Sequence, residues 1–210
     1  MIHSDYLQAL GITRFGKRSL CHSLPITSDW HSLESRVSTC TACTLHQTRT
    51  QTVFGVGNRE AKLMIIGEAP GFHEDQQGEP FVGRAGQLLT AMIKTIGFER
   101  SDVYIANILK CRPPNNRDPD AQEVATCTPF LDEQISLIKP DLLLAVGRIA
   151  AHYLLQKKSS LESLRKIVHS YGLIKTKLIV TYHPAYLLRN PVDKKKAYAD
   201  LLFTKSILKK

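Results

Sequence analysis

Leu63-Met64-Ile65-Ile66-Gly67 is followed, across a loop rich in Gly and Pro, by Ala85, Leu88, Leu89, Met92, Ile93 and Ile96. The first segment is a short apolar run closed by glycine, the pattern of a strand buried on both faces. The second recurs at i, i+3, i+4, i+7, i+8 and i+11, the pattern of an amphipathic helix, with Gly97 as its stop. Outward from this pair the alternation continues. Val103 to Ile108 reads as a second strand. Asp120 and Glu123 read as a capping box opening a helix to Ile138, where Pro129 predicts a kink or a restart. Asp141 to Val146 reads as a third strand, followed by Gly147 and a helix through Leu155. Residues 166–182 carry one weaker strand and one clear one, Leu178 to Thr181. Asp193 caps a last helix with Ala197, Leu201, Leu202 and Leu208 on its apolar face. Upstream, Ser28 or Asp29 caps a helix through Trp30, Leu33 and Val37. Strands alternating with helices predict a three-layer α/β/α sandwich around a mostly parallel sheet. Ligands of such sheets bind beyond the carboxyl ends of the strands. The loops after Ile66, Ile108 and Thr181 are therefore where chemistry is expected.

The 210 residues suffice for one domain, read as an extension over 1–27 and a single domain over 28–210. Lys and Arg outnumber Asp and Glu by 28 to 19, a formal charge of +9 that suits a polyanionic partner. No run approaches the roughly 18 apolar residues of a membrane span. The first twenty residues carry charges and no apolar signal region, so the expectation is a cytoplasmic protein with no membrane partner. Cys40 and Cys43 form a C-x2-C pair, Cys111 and Cys127 follow far downstream, and Cys21 stands alone. In a reducing compartment these are buried thiols or metal ligands, and spacing alone leaves both open. Four thiolates suit structural zinc or an iron–sulfur cluster equally.

The loop Gly67-Glu68-Ala69-Pro70-Gly71 is neither a Walker loop nor a dinucleotide fingerprint. Glu68, at a strand end between glycines, is a catalytic candidate; its alternative is a solvated loop carboxylate. Phe81 lies between Pro80 and Gly83, which favours an exposed ring able to stack on a base, against core packing. Asn107 ends the second strand with an amide that offers a donor and an acceptor side by side, or a structural hydrogen bond. His183, at a strand end before Pro184, is a stronger candidate than the other histidines.

With these loops the chain resembles the family 4 uracil-DNA glycosylases. The resemblance rests on GEAPG at 67–71, GEPFVGRAGQLL at 78–89, NILKCRPPNNRDP at 107–119 and HPAYLLRNP at 183–191, and covers residues 30–205. It implies a four-stranded parallel sheet and hydrolysis of the N-glycosidic bond of uracil in DNA. It also implies a structural [4Fe–4S] cluster on Cys40, Cys43, Cys111 and Cys127. The substrate is uracil-containing DNA, single- or double-stranded, and the protein is expected to act as a monomer; a sliding clamp or other repair partner stays open. The resemblance puts Gly67, Glu68, Ala69, Glu74, Phe81, Asn107 and His183 around the flipped base. Phe81 stacks, Asn107 pairs with the uracil edge, Glu74 crowds C5, His183 donates to O2, and Glu68 orients water or offsets sugar cation. Arg84, Arg112, Arg117, Arg189 and Lys194 to Lys196 are expected to grip DNA, with Leu187 or Leu188 as a wedge; solvated charge and core packing are their alternatives. Other readings are a superfamily glycosylase for another base such as hypoxanthine, a non-catalytic nucleic-acid-binding module on a metal, and an electron carrier.

Overall fold

The computed structural model describes residues 29–208. The extension over 1–27 and Cys21 lie outside the described residues.

The described chain forms one six-stranded mixed sheet with helices packed against it. The strands are β1 (Val56–Gly57), β2 (Leu63–Gly67), β3 (Tyr104–Asn107), β4 (Leu142–Val146), β5 (His169–Tyr171) and β6 (Thr176–Thr181), in the spatial order β1-β3-β2-β4-β6-β5. The four inner strands pair in parallel, while β5, the weaker strand read within 166–182, and β1, which the sequence reading did not include, add antiparallel edges. Both edges are too short to carry a clear alternation. The helices are α1 (Trp30–Ser38), α2 (Phe72–Gln77), α3 (Arg84–Lys94), α4 (Ala121–Ile138), α5 (Arg148–Leu155), α6 (Leu161–Leu164), α7 (Pro184–Arg189) and α8 (Lys194–Leu208).

Each residue of β2 and β4 is buried, as apolar runs covered on both faces must be. One face carries Met64, Ile66, Ala106 and Leu143 against Leu131 and Ile135 of α4. The other carries Ile65, Ile105 and Leu144 against Leu89 and Ile93 of α3 and Leu201 of α8. Asp29 caps α1 by accepting from the Ser32 N–H at 2.7 Å. Asp120 and Glu123 close a reciprocal box on α4 at 2.8 and 3.0 Å. Pro129 neither ends nor restarts α4, which runs unbroken for 18 residues. The ring faces solvent, as does Ala125 four residues before it, so water reaches the carbonyl that the proline leaves without a donor. No helix among the described residues is long and apolar enough to cross a membrane.

The parallel register sets the site. Gly67 pairs with Asn107 and Val146 with Thr181, so the residues after β2, β3 and β6 emerge along one edge.

Candidate active site

A cleft of about 450 Å³ opens at that edge, lined by Glu68, Phe81, Asn107 and His183 together with Ala69, Glu74 and Arg189. Asn107 is 2 % exposed, and its Oδ1 has no hydrogen-bond partner although it is buried. Buried amide oxygens are seldom left so, because the desolvation goes uncompensated. The atom is therefore poised for a donor that arrives from outside. Gly67 makes this arrangement fit: a Cβ there would run into Asn107 Oδ1 and the Phe81 ring.

Phe81 is 7 % exposed, with one part of its ring on the cleft. The expected exposed ring is thus corrected: the residue packs into the core cluster with Leu89 and Ile93, and its backbone takes a left-handed φ of 56°. Such a conformation is costly for a non-glycine residue and persists only where the surroundings hold it. Here Arg100 Nη2 donates to the Pro80 carbonyl at 2.6 Å and the Val82 N–H donates to Glu74 Oε1 at 3.1 Å. Gly86 lets the first turn of α3 pass over the Phe81 carbonyl, where any Cβ would collide. The Phe81 and His183 rings lie 5.7 Å apart at 33°, as neighbours in the lining of the cleft.

His183 begins α7. Its Nδ1 accepts the Ala185 N–H at 3.1 Å, so in the neutral ring the proton sits on Nε2. Burial, with a contribution from Arg189, pushes its pKa down to about 4, so the neutral ring prevails at physiological pH. Gly147 gives the ring room, since a Cβ there would meet His183 Cβ at 2.9 Å. Glu68 goes the other way. Burial first, then the nearby Asp118 charge, raise its carboxyl to about 7, with Arg148 opposing.

The four cysteines converge elsewhere. Cys40 and Cys43 lie between α1 and the following 3₁₀ turn, and with Cys111 and Cys127 they line one small cavity walled by Val37 and Phe130. Arg49 Nη1 donates to Cys111 Sγ at 3.0 Å, and the Lys110 N–H to Cys127 Sγ at 3.3 Å. Among the described residues no three His, Cys, Asp or Glu side chains close to the spacing of a single metal ion.

The family model described as Uracil DNA glycosylase superfamily matches residues 54–204. The chain belongs to the uracil-DNA glycosylase superfamily. A type-4 uracil-DNA glycosylase of Thermotoga maritima is 44 % identical over 181 residues, 85 % of this chain and 94 % of that one. The type-4 enzyme of Archaeoglobus fulgidus is 44 % identical over 162 residues, 74 % and 81 % of the two chains. A type-5 uracil-DNA glycosylase of Pyrobaculum aerophilum is 30 % identical over 149 residues, 62 % of this chain and 64 % of that one. Within the superfamily the chain groups with type 4.

The uracil-DNA glycosylase fold sets Glu68, Ala69, Glu74, Phe81, Asn107 and His183 on one cleft, with Gly67 directly beneath. Glu74 has a further occupation. Its Oε2 accepts the Gly71 N–H and its Oε1 the Val82 N–H, both at 3.1 Å, which ties the two halves of the loop together. Leu187 is corrected as a wedge: it is 1 % exposed on the inner side of α7, packed into the core, and only the half-buried Leu188 remains near the surface. Arg117 and Arg189 line the cleft, although Arg117 holds both Glu123 oxygens, at 2.5 and 2.9 Å. Arg112 lies over the exposed Phe72 ring at 5.0 Å, Arg84 is exposed at the start of α3, and Lys196 pairs with Asp193 at 3.0 Å. Sequence reasoning missed Asp118, Arg148 and Arg100. The first two act on Glu68 only because separate loops meet, and the third pins Pro80 from across the loop; no local pattern marks any of them.

Proposed function

We propose that this chain excises uracil from DNA as a monofunctional glycosylase acting in base excision repair. The observation that carries it is the buried Asn107 Oδ1 without a partner, beside a cleft that an aromatic ring and a neutral histidine also line. A base reaches such a cleft only when flipped out of the helix. Phe81 then stacks on it. Uracil N3–H donates to Asn107 Oδ1, and uracil O4 accepts from Nδ2. Cytosine inverts both groups, so an amide held in this orientation rejects it.

As the C1′–N1 bond breaks, its electron pair moves onto the base and the sugar gains cationic character. His183 Nε2–H donates to O2, where negative charge grows, without itself becoming a cation. The Glu68 carboxylate orients a water toward C1′ and takes up its proton as the new C–O bond forms, while its charge offsets the sugar cation. The uracil anion then takes a proton from solvent. Arg84, Arg112, Arg189 and the Lys194 to Lys196 run supply phosphate contacts, and Leu188 enters the stack behind the extruded base.

We assign Cys40, Cys43, Cys111 and Cys127 to a [4Fe–4S] cluster. Four thiols on one cavity, two of them already receiving N–H donors, fit the ligand set of such a cluster. When bound, the group serves as a cross-link between α1, the loop after β3, and α4. The catalytic domain is residues 28–210, acting as a monomer in the cytoplasm.

Excision from a single-uracil oligonucleotide, followed by alkaline cleavage, tests the reading. Strand scission that requires both uracil and alkali is expected. Scission without alkali would overturn the hydrolytic mechanism, and release of hypoxanthine but not uracil would move the substrate to another deaminated base.

A further inference from the structure

The mechanism leaves one buried charged side chain unused. Lys110 is 1 % exposed. Its Nζ donates to the Asn107 carbonyl at 2.8 Å and to Gln134 Oε1 at 2.7 Å. Gln134 is itself held from behind. It sits fully buried on α4, and its Nε2 donates to the Phe54 carbonyl at 2.9 Å and to the Tyr104 hydroxyl oxygen at 3.2 Å. An ammonium in an interior is expensive, and an unbranched apolar chain of the same length would fill the volume without that cost. The charge therefore calls for a reason beyond packing.

The residue it grips is the one that reads the base. The chain after the Asn107 carbonyl is also fixed, because the Ile108 and Leu109 N–H groups donate to the Gly67 and Glu68 carbonyls, both at 3.1 Å, and Asn107 itself pairs with Gly67 in the parallel ladder. With the peptide pinned on both sides, the Cα–Cβ direction of Asn107 is set, and with it the line along which the amide enters the cleft. A shift of an ångström there would misplace both hydrogen bonds to the base.

We propose that Lys110 is a positioning residue for base recognition: its ammonium, braced by Gln134, fixes the Asn107 peptide so that Oδ1 meets the uracil N3–H. The proposal rests on the reading of the cleft as a uracil site. The same residue joins that site to the cysteine cavity, because its own N–H donates to Cys127 Sγ and Cys111 follows it in the chain.

The test is equilibrium binding of the full-length, cluster-loaded protein to an oligonucleotide carrying one 2′-fluoro-2′-deoxyuridine. The fluorine disfavours the cationic sugar and so protects the glycosidic bond. The same oligonucleotide with thymidine is the reference. Wild type, Lys110→Met, Asn107→Ala and the double variant are compared, with visible absorbance and thermal melting as checks on cluster and fold. Lys110→Met is expected to lose about tenfold or more of the uracil preference. In the Asn107→Ala background it is expected to remove less than about twofold further, the non-additivity of two residues acting through one contact. A merely structural lysine would weaken both backgrounds alike. The proposal is overturned if Lys110→Met keeps its preference within about twofold of wild type, or if its loss multiplies with that of Asn107→Ala. Should Lys110→Met fail to fold, Gln134→Leu replaces it, removing one partner of the ammonium while leaving Asn107 and the cysteines intact; an unchanged preference there overturns the proposal equally. A wild-type protein that binds both probes alike overturns the functional reading itself, an outcome separable from the others because it needs no variant.

Discussion

At the scale of single residues, the proposed chemistry rests on what Asn107 and His183 leave open to the cleft. Asn107 Oδ1 is an acceptor buried without a partner, and His183 lines the same cleft with its Nδ1 occupied, which leaves Nε2–H as the ring's donor. Asn107→Ala and His183→Ala should each reduce single-turnover excision by about 10²–10³-fold, the usual loss when a preorganised donor or acceptor is removed. Folding and visible absorbance should stay at wild-type level, and near-normal rates in both would sink the site assignment. Glu68 gives a pH signature. With its carboxyl raised to about 7, excision should climb with pH through that region and level off above it. Glu68→Gln should be slow and lack that limb. His183 adds no second limb near neutrality, since its pKa lies at about 4. Stability carries the opposite sign to activity at Glu68. A carboxyl whose folded pKa is raised stabilises the fold below its unfolded pKa, and that benefit fades as pH rises through about 7. Glu68→Gln should therefore melt higher than wild type at pH 8. After discounting for partial exposure the gain is on the order of 1 kcal/mol, or about 2–4 °C. At pH 4 the two should coincide. Glu68, Asn107 and His183 were legible because each ends or follows a strand at the edge where parallel sheets bind ligands. Phe81 was legible as a participant but not in its pose, because a left-handed backbone at a non-glycine residue is imposed by Glu74, Arg100 and Gly86 from outside its own segment.

At the scale of elements, the segments with strong local codes were readable and those held by their neighbours were not. The box of Asp120 and Glu123 marks the start of α4 in sequence and forms as written. What the sequence could not state is that Arg117 closes on Glu123 as well, drawing the wall of the cleft onto the helix start. Glu123→Ala should cost about 1–2 kcal/mol in urea denaturation. It should also weaken substrate binding more than a cap distant from the cleft would. A stability within error of wild type would show that the helix start is held by packing alone. The six-residue α2 was read as loop, since it is too short to repeat an apolar face. It is bounded instead by Gly71 and by Gly78 at a φ of 76°. The edge strand β1, of two residues, escaped for the same reason, and β5, of three, was legible only as a weak strand without bounds.

At the scale of the whole molecule, two ties hold distant segments together. Arg165 and Asp200 form a buried pair at 2.7 Å, and Asp200 also accepts from Thr181 at 2.9 Å, which anchors the end of β6 just before His183. The cysteine cavity joins α1 to the loop after β3 and to α4. If the proposed [4Fe–4S] cluster sits on these thiols, Cys111→Ser should lose its visible absorbance and melt well below wild type; a soluble variant with full metal content would remove Cys111 from the ligand set. The alternation of apolar runs and amphipathic stretches, the caps, the basic charge and the four sequence blocks were enough to define an α/β domain, its family and the edge where chemistry occurs. These are properties of neighbours in the chain, set by periods of two and 3.6 residues and by backbone preferences. Which groups are buried, and which are already occupied, was decided only by the tertiary structure. Leu187 turned inward, Arg117 closed on Glu123, Lys110 reached the Asn107 carbonyl, and Asp118 and Arg148 came to act on Glu68. Each of these depends on segments far apart in sequence meeting at hydrogen-bonding or Coulombic range, and that distance exists only once the sheet register has brought them together.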